Sequence, residues 1–342
     1  MTNSITKPDK SRINFCFDKK KFVIIVASII LLFFLVILVT YPEICSESFL
    51  DGLILFSTAV LPSLFPFLFI TKMLTDFGLA QKLSATFDKP FRFLFGVNAK
   101  GFYVFLMSII CGYPVGAKIL SDLIIDGQLS KSEAEDILPL CTSSGPLFVI
   151  GTVGVGMFGN KGFGIKLFAV HALSIIVLAF VLCNVKRLIF KKRTTQPLKK
   201  SNICCLDQVL AKNMTDTCAS VLMVGGFISC FYLAIDILNN FGIMLPISYF
   251  LSWLLGIFGS NIELAKGISS GIIEMTRGCK DLALIGGEFS AVAISAILAF
   301  GGVSIILQSI AFLSKAKISS LKFLAIKTMQ TAVAICIALI LF

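Results

Sequence analysis

Two segments, CGYPVGAKILSDL at residues 111–123 and CTSSGPLFVIGTVGVGMFGN at residues 141–160, decide the fold of this chain. Both lie in strongly apolar surroundings, yet both are rich in Gly, Pro, Ser and Thr. In a bilayer every backbone N–H and C=O must be paired, so irregular backbone survives there only when it is buried in protein or lines a cavity. Pro114 removes one N–H and disfavours a helix through Tyr113. Gly112 and Gly116 loosen the same turn. Thr142-Ser143-Ser144-Gly145-Pro146 reads as the tip of a hairpin between two short apolar arms. Such breaks near the bilayer midplane are how secondary transporters build binding sites.

The composition places these breaks in a membrane. Of 342 residues, 57% are hydrophobic and 14% charged, and the mean hydropathy is +0.95. Soluble domains carry about 25% charge. The net charge of +11 fits positive-inside loops better than a nucleic-acid surface, because no basic domain interleaved with aromatics is present. Cysteines such as Cys111, Cys183, Cys230 and Cys336 sit inside apolar runs with no C-x-x-C or metal spacing, so they read as small apolar residues. No cofactor or metal is expected. His171 is the only histidine. With no H-E-x-x-H, G-x-S-x-G or phosphate loop, an enzyme is not expected.

Outward from the two segments, a polar, basic tail (1–21) precedes an apolar run (22–41) long enough to span, with its N-terminus on the cytoplasmic side. A second span over 49–71 carries Pro62 and Pro66, which predict a kink. Residues 79–97 mix Lys82, Lys89 and Arg92 with Phe87, Phe91, Phe93 and Phe95 and read as an amphipathic surface helix. The broken stretch 101–122 is expected to cross. An acidic loop follows, with capping-box patterns at Ser130/Glu133 and Ser132/Glu135. Its apolar continuation, 137–140, is too short to cross before the Ser-Gly-Pro turn. The expectation is therefore a re-entrant hairpin over 133–158, then a return span over 163–190 and a basic linker over 191–206.

The second part, 207–342, repeats the first, 49–190. Setting Gly145 on Gly301 places Lys166 on Lys322 and His171 opposite Lys327. An odd number of crossings in each half makes the second half inverted. It is read as a span over 214–239, an interfacial helix over 243–258, a span over 256–277, a hairpin over 284–313 with Gly301-Gly302 at its tip, and a last span over 321–342. This puts Arg277, Lys280, Lys315 and Lys317 on one side. The sum is an all-α membrane protein of about seven spans, two re-entrant hairpins and two interfacial helices in inverted repeats.

At CGYPVGAK, the Ser-Glu-Ala-Glu loop and SSGPLFVIGTVGVGMFGN, the chain resembles the sporulation integral membrane proteins called YlbJ or SpoVV, within the nucleoside-recognition gate group. The resemblance implies a membrane protein of the mother cell, in the outer forespore membrane, that moves dipicolinic acid. It also implies a wider fold similar to concentrative nucleoside transporters.

The residues weighed for a site follow from chemistry at the breaks. Thr142, Ser143, Ser144 and Gly145 offer hydroxyls and amides at a half-helix N-terminus, which suits a carboxylate; the alternative is close helix packing. Gly112, Tyr113, Pro114 and Gly116 form the opposing break, with Tyr113 able to stack on an aromatic solute. Lys118, charged within a span, is placed against a solute carboxylate or, alternatively, in an i,i+4 pair with Asp122. In the second half Ser269, Ser270 and Gln308 stand at the matching positions. His171, Glu263 and Glu274 are the groups for coupling a proton or sodium ion, with a packed His171 and a Glu263–Lys266 helix pair as the plain alternatives. The expected partners are a small anionic solute, the bilayer, a coupling proton or sodium ion and further copies of the chain in an oligomer, with no nucleic acid. A nucleoside carrier and a non-transporting spore-envelope assembly protein are the competing functions.

Overall fold

The computed structural model describes residues 19–189, 206–256 and 261–342. The tail expected over 1–21, apart from its last three residues, and the linker expected over 191–206, apart from its last residue, lie outside the described residues. Among the described residues every regular element is helical. The chain divides into residues 1–46 and 47–342. The first unit holds helix α1 (Lys19–Thr40), close to the expected span and long enough to cross. Helix α2 (Pro42–Leu55) begins there and runs into the second unit.

Within the second unit α2 continues through a wide turn, Phe56–Val60, into α3 (Leu61–Asp76). The distortion lies just before Pro62, where a proline ring clashes with the carbonyl four residues back. This stretch runs antiparallel to α9 (Leu206–Asn240). A Cβ added to Gly52 would lie 2.7 Å from Ser229 Cα, the close approach small residues permit in membranes. At the other end Lys72 pairs with Asp216 at 2.8 Å and Asn213 Nδ2 donates to Asp76 at 2.8 Å.

Helix α4 (Leu79–Phe95) ends at Gly96 in the left-handed region. It lies at 85° to α5 (Ala99–Cys111), with Phe91 packed on Phe95, Phe102 and Phe105. That is the posture of an interfacial helix. α5 and α6 (Val115–Ile125) fold back on each other around Gly112-Tyr113-Pro114. Lys100 Nζ, at the start of α5, donates to Gln128 O just past the end of α6. Near the tip, a Cβ on Gly116 would fall 2.6 Å from Ser108 Oγ. The pair is a helical hairpin with its base at Lys100.

Helix α7 (Lys131–Ile137) opens on a complete capping box between Ser130 and Glu133. A 3₁₀ turn (Leu138–Cys141), an extended break and a π-helical arm (Leu147–Met157) follow. The arm packs on the start of α8 (Lys161–Ile189), where Gly154 faces Gly164. α7 instead meets the far end of α8, through Asp136 and Lys186. At 1.5 Å per residue those two contacts lie about 33 Å apart along α8. The stretch from α7 to Met157 therefore crosses.

The second half repeats this order. Helix α10 (Met244–Leu255) is about 18 Å long, too short to span, and exposes Tyr249, Phe250 and Trp253; it is the second interfacial helix. α11 (Ile262–Ile273) and α12 (Met275–Ile285) are an antiparallel hairpin. Gly278 faces Gly271, where an added Cβ would meet Gly271 Cα at 2.2 Å, and Gly267 faces Leu282. α13 (Gly287–Phe300) and α14 (Gly302–Leu313) form one long apolar stretch, Gly287–Ala316, interrupted at Gly301 (φ +87°) and Gly302 (φ +70°). α15 (Ser320–Leu341) closes the chain.

The fold class read from the sequence is borne out: the chain is an all-α integral membrane protein. By length and apolarity alone four helices qualify as spans, or six counting bent pairs, among the described residues. The topology adds the irregular crossing over 131–157. The roles of two pairs of segments are exchanged, however. The expected hairpins over 133–158 and 284–313 are the broken crossings, and the expected crossings over 101–122 and 256–277 are the hairpins. The break in the latter falls at Glu274 rather than at Ser269-Ser270. Because that hairpin turns back, Arg277 and Lys280 do not share a side with Lys315 and Lys317. Arg277 pairs with Asp236 at 3.1 Å, near the C-terminal end of α9. The base of the first hairpin lies beside Glu133, through Asn98, and the base of the second at Gly286-Gly287, where α13 starts. The two hairpins enter from opposite faces, as inverted repeats require.

Candidate functional site

The two hairpin tips and the two helix breaks meet at the centre of the second unit. A Cβ on Gly112 would fall 2.5 Å from Gly145 N, so the first tip touches the first break. A Cβ on Gly302 would fall 3.0 Å from Gly271 O and 3.1 Å from Met275 N, so the second break touches the second tip. Between them lies a small, partly open cavity of about 60 Å³. Gly112 and Tyr113 line it from the first tip, Ser144 and Gly145 from the first break, Glu274 and Thr276 from the second tip, and Gln308 from α14. Phe67, Phe148, Val224 and Ile228 supply apolar wall. A mostly apolar cavity with a few convergent polar groups is the usual form of a small-molecule site.

Each polar group is held from behind. Ser144 N donates to His171 Nε2 at 2.8 Å, and Ser143 N donates to Ser108 Oγ at 3.1 Å. The break thus exchanges helical hydrogen bonds for side-chain ones, which is what lets it persist in an apolar interior. As Nε2 accepts, the His171 ring proton sits on Nδ1. Thr142 Oγ1 donates to Gln330 Oε1 at 3.0 Å. The same oxygen accepts from Lys327 Nζ at 3.0 Å, and Lys327 also donates to Tyr113 Oη at 2.7 Å. Tyr113 Oη in turn donates to Leu298 O at 2.9 Å. Glu274 caps α12 by accepting the Arg277 N–H at 2.7 Å, and Gln308 Nε2 donates to Ser304 Oγ at 3.1 Å.

The residues singled out from sequence divide accordingly. Gly112, Tyr113, Ser144, Gly145, Glu274 and Gln308 line the cavity. Pro114, Gly116, Thr142 and Ser143 are buried just behind it, and His171 supports the break rather than facing the cavity. Four others stand away from the cavity lining. Lys118 lies on α6, its ammonium 4.0 Å from Asp122 and 5.0 Å from the Phe312 ring centroid. Ser269 bonds Ser248 Oγ at 3.1 Å and Lys266 O at 2.8 Å, on the α10 side of its hairpin, and Ser270 stands with it on the arm short of the tip. Glu263 is exposed and pairs with Lys266 at 2.9 Å. The hairpin fold explains all four, since it moves residues on the arms away from the tip. Lys118→Met is accordingly expected to leave solute binding unchanged and to alter stability by no more than about 1 kcal/mol, as for a weakly coupled ion pair, checked by ligand binding and thermal melting of the purified protein.

Thr276, Lys327 and Gln330 were not singled out. Lys327 had a signal: a lysine inside a 22-residue apolar helix is a functional hypothesis by default. The repeat register that set His171 opposite Lys327 matches the geometry. His171 holds the residue before Gly145, and Lys327 Cε lies 3.9 Å from where a Cβ on Gly301 would sit.

The fold and site define a helical membrane protein with paired re-entrant hairpins, two interrupted crossings and a central cavity. No family model matches the chain. It is similar to the sporulation integral membrane protein YlbJ of Bacillus subtilis (strain 168), 29% identical over 314 residues that cover 86% of this chain and 76% of the relative. The resemblance to the YlbJ family drawn from residues 111–160 is borne out by this likeness.

Proposed function

We propose that the chain is a solute carrier of sporulation that moves a small planar acid, dipicolinate by its resemblance, across the outer forespore membrane by alternating access. The observation that carries this reading is the cavity lined by both hairpin tips, the first helix break and α14 just past the second. The two halves enter it from opposite faces, so rocking one half against the other would open it to either side. The face bearing Lys100, Lys186 and Lys322 is the cytoplasmic one under the positive-inside rule. No chemical step is needed, so the protein acts as a carrier and not as an enzyme. Glu274, a buried carboxylate in the cavity wall, is the group that would take a coupling proton or sodium ion.

A second reading, a carrier of nucleoside-like solutes as in the wider gate group, is favoured by Glu274, Thr276 and Gln308, which suit neutral hydrogen-bonding edges. The presence of a central cavity with convergent polar groups weighs against a purely structural role in the spore envelope. The test is the dipicolinate content of spores and mother cells in a strain lacking this chain. Spore content is expected to fall at least about tenfold, the scale set by losing one route of low barrier, with dipicolinate accumulating in the mother cell. Normal spore content would remove dipicolinate as the solute.

A further inference from the structure

An acid in this cavity needs a positive charge, and the lysine expected to supply it, Lys118, is elsewhere. Glu274 is the charged residue in the lining, and it has the wrong sign. Lys327 is fully buried. Its described partners are Tyr113 Oη and Gln330 Oε1, both neutral, and among the described residues no carboxylate pairs with it. Its ammonium lies 4.5 Å from the centroid of the Tyr113 ring. Tyr113 also lines the cavity, so one side chain joins the ammonium to the solute space.

An amine buried among neutral groups holds its proton at a cost, and in a membrane protein a lysine so placed is a functional hypothesis by default. Gln330 Oε1 serves Thr142 as well, so the lysine is tied to the first break and, through Tyr113, to the first hairpin tip. The positive charge therefore stands at the first tip and the carboxylate of Glu274 at the second.

We propose that Lys327 is the specificity-determining charge of this site, selecting anionic over neutral planar solutes from beside the Tyr113 ring. This rests on the carrier reading above and names the solute class it requires. A unit charge within several ångströms of a solute carboxylate, at an effective dielectric of about 20, changes affinity on the order of 100-fold.

The test is equilibrium binding to the purified full chain of two probes of one shape, pyridine-2,6-dicarboxylate and its uncharged diamide. Wild type is expected to prefer the diacid. Lys327→Met is expected to lose roughly 100-fold in diacid affinity, to leave the diamide unchanged, and to melt at the same or a higher temperature, because it removes an uncompensated buried charge. Tyr113→Phe keeps the ammonium and the ring and is expected to retain the diacid preference. If wild type binds neither probe, or prefers the diamide, the acid-carrier reading falls and this inference with it. If wild type prefers the diacid and Lys327→Met does too, the inference alone is overturned. The same holds if Lys327→Met loses both probes alike and melts lower, or if Tyr113→Phe loses the preference.

Discussion

Gly112→Ala is expected to abolish solute binding and to lower the yield of folded protein sharply. Two independent costs fall on one methyl group. Gly112 has φ +79° and ψ −168°, a region that is essentially closed to other residues and costs about 1–3 kcal/mol. The added Cβ would also sit 2.5 Å from Gly145 N and 3.1 Å from Gly145 Cα. Both are backbone atoms of the facing break and cannot swing aside as a side-chain end would. Overpacking of this kind costs roughly another 1–3 kcal/mol. The sum is a large share of the 5–15 or so kcal/mol that holds a domain together.

The break cannot retreat, because Ser143 N and Ser144 N are bonded to Ser108 and His171. Gly127→Ala is the control. It has φ +67° and nothing within 4 Å of an added Cβ, so it carries only the conformational cost, about 1–2 kcal/mol. Size-exclusion yield and melting temperature of the two variants separate the effects. Equal behaviour of Gly112→Ala and Gly127→Ala would mean that the contact of tip and break does not hold the site.

The same contact shows what the sequence made legible. Gly-Tyr-Pro at 112–114 and Ser-Ser-Gly-Pro at 143–146 announce breaks through missing N–H groups and small side chains, and both breaks are there. So are the capping box at Ser130 and the helix over 79–95. What the sequence concealed is which broken segment turns back. The residues Ile137 to Leu140 look too short to cross because a crossing is assumed to be continuous helix. The chain instead crosses through a 3₁₀ turn, an extended break and a π-helical arm, and the break amides of Ser143 and Ser144 find their partners on other helices.

The acidic loop misled in the same direction. Asp136 and Glu135 follow a stretch expected to cross, yet they pair with Lys186 and Lys322 on the face where that stretch begins. Acidic residues contribute little to sidedness, and here they neutralise lysines on their own face. Placement of the site residues followed the fold. Those at tips and breaks, such as Tyr113, Ser144 and Glu274, converge, and those on hairpin arms, such as Lys118 and Ser269, do not. Thr276 gave no signal of its own, since only the turn at Glu274 brings it to the cavity.

Glu274→Gln is expected to fold normally, to bind the diacid at least as tightly as wild type, and to lose uptake against a gradient. Glu274 does two jobs that this substitution separates. Its carboxylate caps α12 through the Arg277 N–H, and a glutamine oxygen can accept the same bond. Its charge stands in the cavity wall, buried to 1% exposure, where a solute carboxylate would meet it. Two like charges at contact distance in a poorly solvated site are mutually unfavourable unless a cation lies between them. If a proton or sodium ion fills that place, solute and cation must travel together, and the gradient of one drives the other. Removing the charge removes the need for the cation, so binding becomes independent of it, while concentrative uptake falls by roughly tenfold or more, the equivalent of about 1.4 kcal/mol of coupling. Glu274→Ala also loses the cap and is expected to cost about 1 kcal/mol of stability. Proteoliposomes with imposed proton or sodium gradients, compared with simple exchange at equal concentrations, read the two effects apart. Retention of gradient-driven uptake in Glu274→Gln would move the coupling role away from this carboxylate.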